Sequence, residues 1–152
     1  MSGVRFALNS GELQTTTTTK TLLQALAAAN HRALLKEIGF SGKGIVSTDA
    51  PIFLEVVRQT SQGSTSALTP VKWNSSDLED LEVTAFKDCS PTGEPTDAGE
   101  VVLSAEVHPQ GGMYEWISPY GWEYPLVGGQ RLGIRVKSGV DIKAVTRILG
   151  EE

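Results

Sequence analysis

The sequence predicts an all-β protein: an antiparallel, jelly-roll-like β-sandwich with an extended N-terminal arm. Three observations predict it. First, apolar and polar residues alternate with period two in two clear segments. Val101, Leu103, Ala105 and Val107 stand against Val102, Ser104, Glu106 and His108; Leu132, Ile134 and Val136 stand against Arg131, Gly133, Arg135 and Lys137. That spacing puts one face of a strand on a core and the other toward water. Second, 16 glycines and 7 prolines cut the chain into short segments, which suits seven to nine strands joined by turns. Third, strands do not alternate with long helical patterns, and no repeat of fixed period occurs. At 152 residues the chain fits one domain, since roughly 100–200 residues per domain is usual. A chain of this length buries roughly two-thirds of its unfolded surface without help from a metal or disulfide.

Residues 1–19 read as the arm or as an edge strand, and residues 20–152 as the single sandwich domain. Val4-Arg5-Phe6-Ala7-Leu8 alternates weakly. The run Thr15 to Thr19 favours extended backbone, because β-branched side chains crowd a helix. Residues 20–38 admit two readings. Lys20 to Ala29 and Arg32 to Ile38 are rich in helix formers. Against a helix, Asn30-His31 interrupts the stretch, and Leu34, Lys36, Ile38 and Phe40 alternate with Ala33, Leu35, Glu37 and Gly39. The alternation favours two strands joined through Ala28-Ala29-Asn30. Ser41-Gly42-Lys43-Gly44 reads as a turn, and Ile52 to Arg58 as a strand. Ser61 to Ser66 and Pro91 to Gly99 read as loops flanking a weak strand, Leu81 to Phe86. After the two clear strands, Val140 to Ala144 keeps the alternation. The phase then slips at Val145, because the later apolar positions are Ile148 and Leu149; a β-bulge accounts for such a slip.

Composition narrows the function. Thirteen Lys and Arg against 18 Asp and Glu give a net charge of −5, and no basic run occurs. Nucleic-acid binding, which rests on neutralising phosphates, is disfavoured. The N-terminal stretch Met1 to Arg5 carries no signal-type hydrophobic region. No apolar run approaches the roughly 20 residues of a membrane helix. The expectation is a protein made in a cytoplasm, with no membrane partner.

Catalytic signals are missing. Cys89 is the one cysteine; its neighbours Lys87, Asp88, Ser90 and Pro91 supply no base to activate it. His31 and His108 are two distant histidines, too few for a zinc site, although Glu106 and His108 share a strand face. No nucleophile elbow, phosphate-binding loop or dinucleotide fingerprint occurs. Gly42-Lys43-Gly44 and Gly128-Gly129 read as turn glycines. Carboxylates at Asp77, Glu79, Asp80, Glu82, Asp97 and Glu100 read as solvated loop faces, although a glycosidase also works through a carboxylate pair. The expectation is therefore no enzyme, no catalytic residue, no metal and no cofactor.

One dense constellation remains, Met113 to Pro125. Its five Tyr and Trp residues, Tyr114, Trp116, Tyr120, Trp122 and Tyr124, share one parity. Two strands across a Ser118-Pro119 turn would gather them on one face. Such a face serves a core layer, a protein interface or a sugar-stacking platform. Tyr and Trp suit an interface because they add large contact area at low entropic cost.

Several stretches together resemble a group of small proteins encoded among the head genes of tailed bacteriophages. They are Lys20 to Gln24, Asn30-His31-Arg32, Val56 to Thr60 with the loop running to Pro70, Glu106 to Gly112, and Pro125 to Arg135. The resemblance spans roughly residues 20–150. It implies a capsid decoration, or cement, protein with a jelly-roll-like β-sandwich fold. Such a protein is made in the host cytoplasm and sits on the outer surface of the virion. Its implied partners are the major capsid protein and further copies of itself, as dimer or trimer. The resemblance transfers no catalytic residue. The aromatic stretch and the threonine-rich arm are the candidate contacts, the arm by adding a strand to a neighbour. The alternative is a carbohydrate-binding β-sandwich module that uses the aromatics of residues 114–124 against sugar rings.

Overall fold

The alternation of the sequence translates into strands that pair antiparallel throughout. The computed structural model describes residues 3–44 and 50–152. Among them lie thirteen strands and no helix. These are β1 (Arg5–Asn9), β2 (Leu13–Gln14), β3 (Lys20–Leu26), β4 (Arg32–Lys43), β5 (Ile52–Gln59), β6 (Ser66–Leu68) and β7 (Val71–Lys72). Then follow β8 (Thr84–Lys87), β9 (Asp97–Val107), β10 (Gln110–Ile117), β11 (Tyr124–Val127), β12 (Arg131–Lys137) and β13 (Lys143–Glu151). The count exceeds the seven to nine anticipated because β2, β6, β7 and β11 are two to four residues long, too short to show a period.

The strands form two sheets. The larger runs β10-β4-β13-β1-β7, with β11 also on β4 and β2 also on β13; the smaller runs β6-β8-β3-β12-β5-β9. They pack face to face as a β-sandwich. Phe6, Leu8, Leu35, Ile38, Phe40 and Ile148 from the larger sheet share one buried cluster with Leu23, Ile52, Leu54, Val56 and Ile134 from the smaller.

Residues 20–38 are two strands, joined through Ala27 to His31. Each carries a bulge. The pairing of β12 with β3 skips Leu22, and that of β13 with β4 skips Lys36. Leu22 and Leu23 are consequently both buried, and the buried positions of β4 step from Leu35 to Ile38. A three-residue step is helical spacing, which is why this stretch resembles a helix.

Three expectations are corrected, and one pair of alternatives is resolved. The N-terminal segment is strand rather than arm. β1 pairs with β13 along its whole length and with β7 on its other side, and Phe6 and Leu8 enter the core. Thr15 is buried, and its hydroxyl accepts a hydrogen bond from the backbone N–H of Ile142 (3.0 Å); Met1 and Ser2 lie outside the described residues. Ser41 to Lys43 is strand, not turn. Gly42 is there for close packing, since a Cβ at that position would stand 3.1 Å from Ile52 and 3.2 Å from Ile142. No slip occurs at Val145: buried positions alternate through Ala144, Thr146, Ile148 and Gly150, and the register shift falls between Leu149 and Gly150. A buried threonine and a half-exposed leucine had inverted the apparent phase. Finally, β10 and β11 form no hairpin. Both pair with β4, end to end, as one edge strand interrupted by an excursion at residues 118–123.

Candidate functional site

The two outer faces of the sandwich differ. Loops cover part of the smaller sheet, where a polar network is sealed in. Gln24 Nε2 donates to Gln59 Oε1 (2.6 Å) and to the Ser61 carbonyl (3.0 Å). Gln59 Nε2 donates to Thr21 Oγ1 (2.9 Å), which donates to Glu94 (2.7 Å). Arg131 donates to Gln24 and lies over the Phe86 ring. Every one of these groups is occupied within the chain.

The larger sheet leaves its outer face open, and strand register arranges that face in rows. Ile117, Glu37, Leu149, Ala7 and Val71 lie side by side across five strands. The next row is Glu115, Gly39, Arg147 and Asn9, and beyond it stand Met113, Ser41 and Val145. Arg147 lies flat across Gly39, where a Cβ would stand 2.9 Å from its Cγ and Nε. Its Nε donates to Glu37 (2.7 Å), and its other guanidinium arm donates to Glu115. An exposed bridge of this kind contributes about 0–1 kcal/mol to stability. Its main effect is to tie down both carboxylates on this apolar surface, its one positive charge offsetting one of the two.

Trp73 dominates this face. It follows β7 directly, and its backbone N–H donates to the Arg5 carbonyl (2.8 Å). The side chain is 65% exposed and borders three open clefts. One of about 430 Å³ lies between Trp73, Ile117, Glu123 and Leu149. One of about 380 Å³ lies over Ala7, Asn9 and Arg147. The third, about 610 Å³, runs along Gly3 to Arg5 and the loop Asn74 to Glu79. Met113 and Ile117 add exposed apolar surface at 69% and 63%. At the near margin Glu151 sits between Lys36 and Arg5. The Lys36 ammonium, chiefly through its hydrogen bond, holds that carboxyl below its ordinary value.

The sequence-predicted aromatics separate into two groups. Tyr114, Trp116 and Tyr124 turn inward and pack, half-buried, against the core. Tyr124 is further fixed by Arg58 of β5, which donates to its hydroxyl and lies 5.6 Å over its ring. Tyr120 and Trp122 stand on the 118–123 excursion, 99% and 78% exposed. The residues that face outward on β10 are the intervening Met113, Glu115 and Ile117. Parity was therefore informative about β10, but the aromatic parity is the inner one. Trp73, Arg147 and Leu149 were missed. The one signal for Trp73 was a lone tryptophan in the polar stretch Pro70 to Ser76.

The remaining candidates are accounted for locally. Cys89 is buried, with its Sγ 3.2 Å from the Gly93 carbonyl. Burial, helped by Glu94, pushes the thiol up to about 11, so it holds little thiolate at neutral pH. His31 Nδ1 lies 2.6 Å from Glu82, and His108 Nδ1 accepts from the Gln110 N–H. Among the described residues no three His, Cys, Asp or Glu side chains gather as a metal site. No protein-family model matches the chain, and no curated protein or solved structure is similar to it at a significant level.

Proposed function

We propose that this chain is a structural virion protein. It binds the outer surface of a tailed-phage capsid through the open face of its larger sheet and stabilises the shell. The observation that carries the docking role is that face: the exposed Trp73, Met113, Ile117 and Val71 with the half-exposed Leu149 on one sheet, where Arg147 holds both Glu37 and Glu115. Exposed apolar patches rimmed by polar groups mark interaction surfaces, and an exposed tryptophan on such a patch is a usual energetic anchor. The clefts around it are open, which suits the side chains of a flat partner. The capsid as partner rests on the head-gene resemblance of the sequence. A protein that binds only the expanded shell stabilises that state by mass action.

The test is co-sedimentation of the purified protein with expanded phage heads that lack it, read by electron microscopy. Saturable binding at regular lattice positions is the expected result. Protein that stays in the supernatant at all concentrations would overturn the reading.

A second reading has one specific observation behind it. Tyr120 and Trp122 stand clear of the sheet, and free rings of that kind stack on sugars. A glycan array separates the two readings. Sugar binding lost in Trp122→Ala, with no particle binding by the wild type, would establish the carbohydrate-binding module instead.

A further inference from the structure

We propose that β9 is the seam of a two-fold dimer, in which a second copy of the chain adds its own β9 antiparallel and joins two smaller sheets into one. The inference is independent of the capsid reading.

Sheet edges invite pairing, and proteins guard them with short strands, prolines, bulges or lysines. Three of the four edges are guarded in this way. β7 has two residues and β6 three. The β10–β11 edge is broken by Gly111, Gly112, Pro119, Pro125 and the 118–123 excursion. β9 runs for eleven residues with no proline and no lysine, and it reads Glu-Val-Val-Leu-Ser-Ala-Glu-Val over its last eight; its two register irregularities against β5 both fall before Leu103, which leaves Leu103 to Val107 regular. Two of its four charge-bearing or turn positions are already engaged within the chain: Asp97 bonds Arg135 (2.6 Å) and Glu100 pairs with Arg58 (3.1 Å). Val102, Leu103 and Ala105 are only partly covered by the core they pack on.

The phase of the ladder shows which backbone groups are available. Asp88 N–H donates to Leu22 and Ala27 N–H donates to Gln130, so Leu23 and Ala25 bond toward β12. Leu132 and Ile134 answer them, which leaves Arg131 and Gly133 to bond β5. Leu54 and Val56 therefore bond β9, where their partners are Ala105 and Leu103. Ser104 and Glu106 turn their N–H and C=O groups outward.

That phase selects a self-complementary register. Centring the two-fold on Ser104 sets Ser104 against its own copy and Leu103 against Ala105, with Glu106 reaching Val102, the residue bulged out of the β5 pairing. No like charges meet. Centring on Leu103 would oppose Glu100 to Glu106, which cross-strand pairing penalises. Centring on Ala105 would shorten the ladder to Leu103–Val107. A second copy is thus an occupant whose strand fits this edge in sequence and in charge. The pairing buries less than the roughly 1,600 Å² of a standard interface, so a dimer of micromolar affinity is expected.

The test combines sedimentation velocity with two substitutions at Ser104, which is exposed. The wild type should pass from monomer to dimer between about 1 and 100 μM. Ser104→Lys places two ammonium groups opposite one another and should weaken dimerisation at least tenfold with an unchanged circular dichroism spectrum. Ser104→Cys brings two sulfurs across a bonded pair whose Cα atoms are about 5.5 Å apart, within disulfide reach. It should cross-link under mild oxidation far faster than Lys137→Cys, an exposed control; Cys89, being buried, does not compete. A wild type that stays monomeric, with Ser104→Cys no faster than the control, would overturn the proposal. So would a dimer that Ser104→Lys leaves intact, since the seam would then lie elsewhere.

Discussion

Adding one methyl group at Gly133 should unfold this protein more effectively than removing any exposed aromatic. A Cβ there would stand 2.1 Å from Gln59 Oε1, 2.4 Å from its Cδ and 2.7 Å from its Nε2. Gln59 has nowhere to go: it is 5% exposed and links Gln24 to Thr21. Displacing it breaks two buried hydrogen bonds at about 1 kcal/mol each and leaves an orphaned polar group costing about 1–3 kcal/mol more. Replacing glycine recovers about 0.5–1 kcal/mol of backbone entropy. The net destabilisation of Gly133→Ala is therefore about 2–4 kcal/mol, to be read from urea unfolding monitored by tryptophan fluorescence. Gln59→Ala removes the obstruction, so adding Gly133→Ala to that variant should cost less than about 1 kcal/mol. A Gly133→Ala protein within about 0.5 kcal/mol of wild type would refute the argument. An equal cost in both backgrounds would do the same.

Trp73→Ala should leave stability within about 0.5 kcal/mol, as expected of an exposed position, and weaken particle binding by about 2 kcal/mol or more, roughly thirtyfold. Trp122→Ala should leave particle binding unchanged. Cys89, buried and with its thiol pushed up to about 11, should resist alkylation at pH 8 in the native protein and react fully once urea unfolds it; stoichiometric native labelling would count against its burial. Glu151 and Asp97 are held below their ordinary values of 4.5 and 3.8, chiefly by hydrogen bonds from Lys36 and Arg135. A depressed folded value gives stability that is present above the ordinary value and lost as pH falls through the folded one. The urea midpoint should be flat from pH 7 to about 5 and then decline, less steeply in Glu151→Gln.

The fold was legible where a strand lies with one face on the core and carries no irregularity. Leu132, Ile134 and Val136 announced β12, and Ile52 to Arg58 announced β5. It was obscured where bulges insert a residue, since Leu22 and Lys36 turn period two into an apparent helical step. Thr146 and Leu149 show a second limit. A polar residue can be buried, as Thr146 is, and an apolar one can face out, as the half-exposed Leu149 does. The candidate site suffered most from this. Sequence weight falls on the five aromatics of residues 114–124, yet the sheet turns three of them inward. The open face is assembled from β10, β4, β13, β1 and the end of β7, residues far apart in the chain. Only strand register brings Ile117, Leu149 and Trp73 into one surface, and register is not visible without the pairing.

The two proposed surfaces are coupled by geometry. An antiparallel β9 seam has its two-fold axis perpendicular to the smaller sheet, because Ser104 meets its copy on the same face. Both larger sheets consequently lie on one side of the joined sheet, and both Trp73 faces point the same way. A dimer of this form would present two docking faces to one shell. Its second contact would then be intramolecular, at an effective concentration in the millimolar range, and avidity would exceed single-face affinity by about 10²–10⁴. Ser104→Lys should therefore weaken binding to heads by that factor although Ser104 touches no capsid in this arrangement, and a soluble single face should compete equally poorly. If Ser104→Lys made the protein monomeric yet left head binding unchanged, each face would act alone. The dimer and the docking face would then both stand, but the link between them would be gone.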